Sequence, residues 1–249
     1  MMRSKKVKII LFSILALVVL RYAYKFSPYK IEFLGHYDKV WAHRVNSTDK
    51  LNSATTFFKG IELDLVYQKQ TNSFDVNHPP AESIDLTFAD YLSTLKPDER
   101  PYLWLDIKNL NPENATSIHE KLISIFSSLS YPFETILVET KHPEALAIFQ
   151  QSGFKTSYYL PYEMYKKDPQ ALKTAISTVK KFLATDTVFG ISASYKDYEI
   201  LKNHFPKRTK YIWATGRCTV CDYTEIRELL NDTTVKVVLS TFRSFKGNR

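Results

Sequence analysis

Two short stretches carry groups that can work on one substrate: Trp41-Ala42-His43-Arg44 and Gly60-Ile61-Glu62-Leu63-Asp64, with His78 beyond them. Side chains on a strand alternate with period two, so Glu62 and Asp64 project from the same face. Adjacent carboxylates repel unless a cation or a shared proton sits between them. Hard divalent ions such as Mg²⁺ and Ca²⁺ take oxygen ligands of this kind. His43 and His78 add two imidazoles that exchange protons near neutral pH. The chemistry this set points to is metal-assisted cleavage of a phosphate ester.

Residues 102–108, Tyr-Leu-Trp-Leu-Asp-Ile-Lys, repeat the pattern: an apolar run ending in Asp106 and Lys108 on one face. Asp106 is expected as a third metal ligand and Lys108 as a point charge facing phosphate. An internal Asp–Lys ion pair is the plain alternative. Arg44 is placed to take a phosphate oxygen with its planar fork. Glu139 and Trp213 each end an apolar run and are candidates for the pocket wall. Glu139 equally suits a helix cap, and Trp213 equally suits core packing. His36, His119, His142 and His204 read as structural or exposed.

Strands are expected over 39–43, 60–67, 102–107, 135–139, 155–160, 188–192, 210–213 and 236–239. Helical patterns fill the intervals, at 49–59, 88–95, 112–129, 143–151, 168–183, 196–204 and 223–230. Thr87 with Asp90 reads as a loose capping box, Pro112 and Pro143 as first-turn prolines, and Gly153 as a helix C-terminal cap. Strands alternating with helices imply parallel βαβ units. Eight of them in this length fit a (β/α)8 TIM barrel, with a doubly wound open sheet as the alternative. No G-x-G-x-x-G follows the first strand, which counts against a dinucleotide fold. In a barrel, His43, Glu62, Asp64, Asp106 and Glu139 all fall near C-terminal strand ends, where barrel enzymes build their sites. A buried parallel strand tolerates such charges only when they are paired or metal-bound.

The 249 residues carry a formal net charge of +8. Arg3, Lys5, Lys6, Lys8, Arg21, Lys25 and Lys30 account for seven of these charges, with no acid among residues 1–30, so residues 31–249 are nearly neutral. A near-neutral body without a basic stripe argues against nucleic-acid binding. The run from Val7 to Leu20 is apolar apart from Lys8 and Ser13 and follows a basic cluster. Residues 1–30 therefore read as an N-terminal signal or membrane-anchor helix. An uncleaved anchor is expected, with Tyr22 and Tyr24 at the interface and Arg21 and Lys25 snorkelling. The barrel, residues 31–249, would then lie on the periplasmic or extracytoplasmic side, membrane-anchored, and a cleaved signal peptide with secretion is the alternative. Cys218 and Cys221 form a single C-x-x-C, half a zinc site. In an exported protein a local disulfide is the expectation.

W-A-H-R, then G-I-E-L-D, then His78, then L-D-I-K resembles the glycerophosphodiester phosphodiesterase family, and more broadly the phospholipase-C-like phosphodiesterase superfamily of TIM barrels. The resemblance covers residues 39–108. It implies His43 and His78 as the acid/base pair and Glu62, Asp64 and Asp106 as ligands of one divalent ion, Mg²⁺ or Ca²⁺. Lys108 matches the family's lysine two positions after its third acid. Val45 stands where the family has a glycine after His-Arg, and Asp106 is one methylene shorter than the family's glutamate. The segment 86–92, Leu-Thr-Phe-Ala-Asp-Tyr-Leu, is also similar to a family stretch.

The expected function is a metal-dependent phosphodiesterase acting on a glycerophosphodiester or phospholipid-type phosphodiester, with water or an internal substrate hydroxyl as nucleophile. Two alternatives stand beside it. One is a non-catalytic, membrane-tethered barrel that binds without turnover. The other is a glycosidase, for which two carboxylates normally stand ~5–9 Å apart on different strands.

Overall fold

The computed structural model describes residues 2–96, 98–185, 190–215 and 222–244. Cys218 and Cys221 lie outside the described residues, as does Val188 at the start of the seventh expected strand.

Eight parallel strands close on themselves. They are β1 (Val40–His43), β2 (Gly60–Gln68), β4 (Tyr102–Ile107), β5 (Ile136–Thr140), β6 (Lys155–Tyr159), β7 (Gly190–Ser194), β8 (Lys210–Trp213) and β9 (Val235–Thr241). Each pairs with its neighbours in that order, and β9 returns to β1 to complete the ring. A ninth strand, β3 (Ser73–Val76), folds back antiparallel on β2. Helices α2 (Thr48–Ala54), α3 (Phe88–Ser93), α4 (Ala115–Ser128), α5 (Ala147–Gln151), α6 (Pro169–Thr185), α7 (Tyr198–His204) and α8 (Tyr223–Asn231) fill the crossovers. The chain is a (β/α)8 TIM barrel preceded by one long helix, α1 (Met2–Phe26).

The period-two alternation of the strands sorts residues into two cores. Ile61, Leu63 and Leu65 of β2 and Leu103, Leu105 and Ile107 of β4 face outward, buried beneath the helices. Trp41, Trp104, Leu137, Tyr211, Val237 and Leu239 face inward and fill the barrel. Two glycines make room for the inward aromatic rings. A Cβ on Gly60 would lie 2.4 Å from the Trp41 indole, and one on Gly190 would lie 2.4 Å from the Tyr211 ring. Small residues opposite large ones let the interior reach native packing density.

Local signals explain several boundaries. Thr87 caps α3 as expected, accepting from the Asp90 N–H at 3.1 Å; its hydroxyl donates to the Asp90 carboxylate at 2.6 Å, in place of the backbone bond of a full capping box. Gly153, at φ +91°, follows α5 in the left-handed conformation a C-terminal cap requires. Pro112 does not open α4. The side chains of Asn111 and Asn114 bond backbone N–H groups at 113 and 111, both at 2.9 Å, and hold a turn there instead. The helix expected to start at Asp49 ends at Ala54, not Lys59, where Thr55 and Thr56 turn their hydroxyls onto the Asn52 carbonyl. Strand β3 was not among the expected strands. Its four residues sit in a polar stretch and bury only Phe74 and Val76.

The described part of α1 keeps its apolar run in the open. From Val7 to Leu20 its large apolar side chains are 52–72% exposed. By length and composition it can cross a membrane.

Candidate active site

Inward-facing residues at the C-terminal strand ends gather in one cleft of about 820 Å³. Glu62 and Asp64 share the inner face of β2 and are almost fully buried, at 3% and 1% exposure. Parallel register sets Asp106 of β4 directly beside Asp64. One carboxylate oxygen from each of the three lies within 4.8 Å of the others. Burial first, then Asp64 and Asp106, push the Glu62 carboxyl well above its ordinary pKa. Burial likewise raises Asp106, against the pull of Lys108. Three acids this close in a poorly solvated place need a cation or a shared proton among them.

Lys108 supplies part of that charge. Its Nζ lies 2.5 Å from Asp64 Oδ1 and also pairs with Asp106. Burial works against the ammonium, but Asp106 and Asp64 outweigh it and hold its pKa above the usual lysine value. The plain Asp–Lys pair is thus present: Lys108 touches two of the three acids that converge here.

His43 ends β1 with Nε2 3.7 Å from Glu62 Oε2. Burial, then Arg44, Lys50, Lys108 and His78, hold its pKa well below the usual histidine value, which favours the neutral ring. His78 arrives by the β2–β3 hairpin. The Asn77 N–H donates to the Asp64 carbonyl at 3.1 Å, which sets the next residue, His78, over the acids. Its Nε2 lies 2.6 Å from Arg44 Nη2. A guanidinium only donates, so that ring nitrogen accepts. The sequence reading put His78 on a loop after the second strand; it follows the third.

Arg44 holds a left-handed backbone, φ +51°, a conformation that favours glycine. Several bonds enforce it. The Arg44 N–H donates to Glu62 Oε2 at 2.6 Å, and Lys50 Nζ donates to the carbonyls of His43 and Arg44 at 2.9 and 2.7 Å. Val45, where the family resemblance has glycine, is fully buried, and its carbonyl accepts from the Tyr91 hydroxyl at 2.7 Å. The strained conformation lies at Arg44, and Val45 serves the core. Strain of this sort costs on the order of 1–3 kcal/mol and concentrates at sites where backbone position matters.

Glu139 lies inside the barrel at the end of β5. It accepts from Trp104 Nε1 at 3.1 Å and from the Ser192 hydroxyl. Burial, then the nearby Asp106, raise its carboxyl to about 8. It faces the cleft and does not cap a helix. Trp213 forms a half-buried wall, stacked on Tyr159 with ring centroids 4.8 Å apart. Lys141 sits over the other side of this pair, 5.0 Å from the Tyr159 centroid. All the residues expected from sequence at the site, His43, Arg44, Glu62, Asp64, His78, Asp106, Lys108, Glu139 and Trp213, line this one cleft.

Sequence reasoning assigned no role to several others. Asn46 grips Asp64 twice: Nδ2 donates to Oδ2 at 2.6 Å, and Oδ1 accepts the Asp64 N–H at 3.0 Å. Lys50, whose pKa burial lowers to about 8, Tyr159, Arg243 and Phe26 also face the cleft. Asn46 and Lys50 follow His43 closely, which was the available signal; Tyr159, Arg243 and Phe26 come from distant parts of the chain. His142 stands exposed on the rim beside Glu144, at 3.6 Å. His119 bonds Ser152 at 2.7 Å beneath the barrel helices.

No family model matches the sequence, and no curated protein matches it. Solved structures do match the fold. A glycerophosphodiester phosphodiesterase from Thermotoga maritima superposes with a TM-score of 0.54 at 13% identity, covering 82% of this chain and 94% of its own. A phosphodiesterase from Oleispira antarctica, in complex with the product sn-glycerol-3-phosphate, gives 0.52 at 12% identity, covering 81% and 92%. A candidate glycerophosphodiester phosphodiesterase from Galdieria sulphuraria gives 0.56 at 16% identity, covering 81% and 93%.

Proposed function

We propose that this chain is a metal-dependent phosphodiesterase of the glycerophosphodiester phosphodiesterase type. Residues 31–249 form the catalytic barrel, and α1 anchors it to a membrane, with the barrel on the extracytoplasmic side. The observation that carries the reading is the convergence of Glu62, Asp64 and Asp106 oxygens within 4.8 Å of one another. An all-oxygen, largely buried donor set fits a hard divalent ion, Mg²⁺ or Ca²⁺. The shared fold with solved phosphodiesterases supports the same reaction class.

In this reading Glu62, Asp64 and Asp106 hold the ion, and Asn46 fixes the rotamer of Asp64. When bound, the ion supplies Lewis-acid polarisation of a phosphoryl oxygen. His43, kept neutral by burial and surrounding cations, takes the proton from the attacking oxygen, whether water or a substrate hydroxyl. A new P–O bond forms as the bond to the leaving alcohol breaks, and His78 delivers a proton to that departing oxygen. Arg44, half exposed and resting on His78, is drawn to the anionic phosphoryl group, which frees the imidazole nitrogen to carry that proton. Arg44 and Lys108 offset negative charge as it builds on the phosphoryl oxygens. Glu139, Tyr159 and Trp213 shape the wall that receives the alcohol portions.

The decisive variant is Glu62→Gln. It keeps the side-chain volume and removes one ligand charge. Turnover of glycerophosphocholine with Mg²⁺ or Ca²⁺ should fall by at least ~10², calorimetric metal binding should weaken, and the circular dichroism spectrum should stay as in the native chain. EDTA should abolish native turnover. Turnover by Glu62→Gln at the native rate would end this account.

A further inference from the structure

The N-terminal helix does not merely precede the barrel; its last turn forms part of the cleft wall. Phe26 lines the same cleft as the three acids. Arg243, just past β9, also lines the cleft and covers two rings of α1. Its guanidinium lies 4.2 Å from the Phe26 centroid and 5.4 Å from that of Tyr22, and it bonds the Tyr22 hydroxyl. Tyr22 and Phe26 meet edge-to-face with centroids 4.9 Å apart. On the other side of the turn the Tyr24 hydroxyl donates to the buried Glu32 at 2.6 Å and accepts the Ile31 N–H at 2.9 Å. Both contacts fix where the helix leaves the barrel.

Distance follows from helix geometry. At 1.5 Å per residue, Phe26 stands about 9 Å along the axis from Leu20, the last residue of the exposed apolar run. Headgroup layers are roughly 5–8 Å deep on each face of a bilayer. The Val7–Leu20 run is about 21 Å long, shorter than the ~30 Å hydrocarbon core, so an embedded run sets the mouth of the cleft within the headgroup layer or at its outer edge. Arg21 and Lys25 lie in that layer, where cationic side chains meet lipid phosphates. Tyr162, 61% exposed, adds an apolar ring to the same mouth.

Resting on the phosphodiesterase reading above, we propose that the substrate is a phosphodiester lipid resident in the same membrane, which enters sideways past Phe26 and Arg243 without leaving the bilayer surface. The acids then meet the phosphate while the acyl chain stays against α1. A freely diffusing glycerophosphodiester would gain nothing from a mouth held at this height.

The test separates the two claims. Full-length protein in phosphatidylcholine vesicles is given lysophosphatidylcholine, which partitions into the bilayer, or glycerophosphocholine, which has the same head and no acyl chain. Both are assayed with Mg²⁺ and with Ca²⁺. The variant carries about twelve Gly/Ser residues between Leu20 and Arg21, a coil spanning roughly 20 Å, so the last turn of α1 stays docked on the barrel but the mouth is no longer held at the surface. Lysophosphatidylcholine turnover should fall at least tenfold in the variant, with glycerophosphocholine turnover unchanged. Tyr24→Phe, which removes only the docking hydroxyl, should shift the ratio in the same direction. Equal rates on the lipid for native and variant protein would overturn the proposal and leave the phosphodiesterase reading standing. If the native chain turned over glycerophosphocholine but not the lipid, only the lipid proposal would fall. Failure of the native chain on both substrates would overturn the two together.

Discussion

Arg44 joins the two halves of the site. Its backbone N–H binds Glu62, its side chain rests on His78, and its left-handed φ is held by Lys50 beneath it. Arg44→Gly relieves the backbone strain and should raise the urea midpoint, with a gain of up to ~1 kcal/mol. On the proposed function the same change removes the fork that would meet the phosphate, so kcat/KM should drop. A variant both more stable and less active, seen in urea melts and initial rates, is the expected signature. Glu139 yields a pH prediction. Its folded carboxyl titrates at about 8, against 4.5 ordinarily. Between those values the folded chain holds a proton that the unfolded chain has lost, so this group's stabilising contribution is complete below about pH 4.5 and is lost as pH rises to about 8. Metal-free native protein should lose stability over that range, and Glu139→Gln should lose less. Urea midpoints at about pH 5 and about pH 8 measure the difference. Much of this scale was legible in sequence, because acids alternating with apolar residues on a strand announce themselves. Asn46 and Lys50 were not. Asn46 bonds Asp64 on the neighbouring strand and Lys50 bonds the carbonyls of the preceding turn, and polar residues after a strand look alike until those partners are in place.

At the scale of elements, the eight strands were readable because inward and outward faces are both buried, which gives near-continuous apolar runs. β3 escaped because a short hairpin partner buries two side chains and leaves the other two half-buried. Yet β3 is what returns the chain to place His78 over Asp64. The large-against-small fit inside the barrel was equally invisible, since nothing local marks Gly60 as the partner of Trp41. That fit is testable. Gly60→Ala puts a methyl 2.4 Å from a buried indole that has nowhere to move. Overpacking of this kind costs roughly 1–3 kcal/mol, and the thermal midpoint should fall accordingly. Because Gly60 begins the strand that carries Glu62 and Asp64, metal affinity should weaken in parallel.

At the scale of the molecule, charge segregates by region. Seven basic residues without an acid precede a nearly neutral barrel. Basic flanks and an exposed apolar run give α1 the features of an anchor that spans. The full chain should stay with membranes through an alkaline carbonate wash, and deletion of residues 2–20 should release it. The direction of this segregation was plain from sequence. The docking of the helix end onto the cleft was not, because Arg243 lies more than two hundred residues from Tyr22 and only the closed barrel brings them together.

The aromatic and aliphatic plug of Trp41, Trp104, Leu137, Tyr211, Val237 and Leu239 has a kinetic corollary. With the barrel stoppered below the acids, the described residues leave no rear exit. If the chain turns over a phosphodiester as proposed, substrate and products share one opening, and the product that leaves last should inhibit by competing with the incoming substrate.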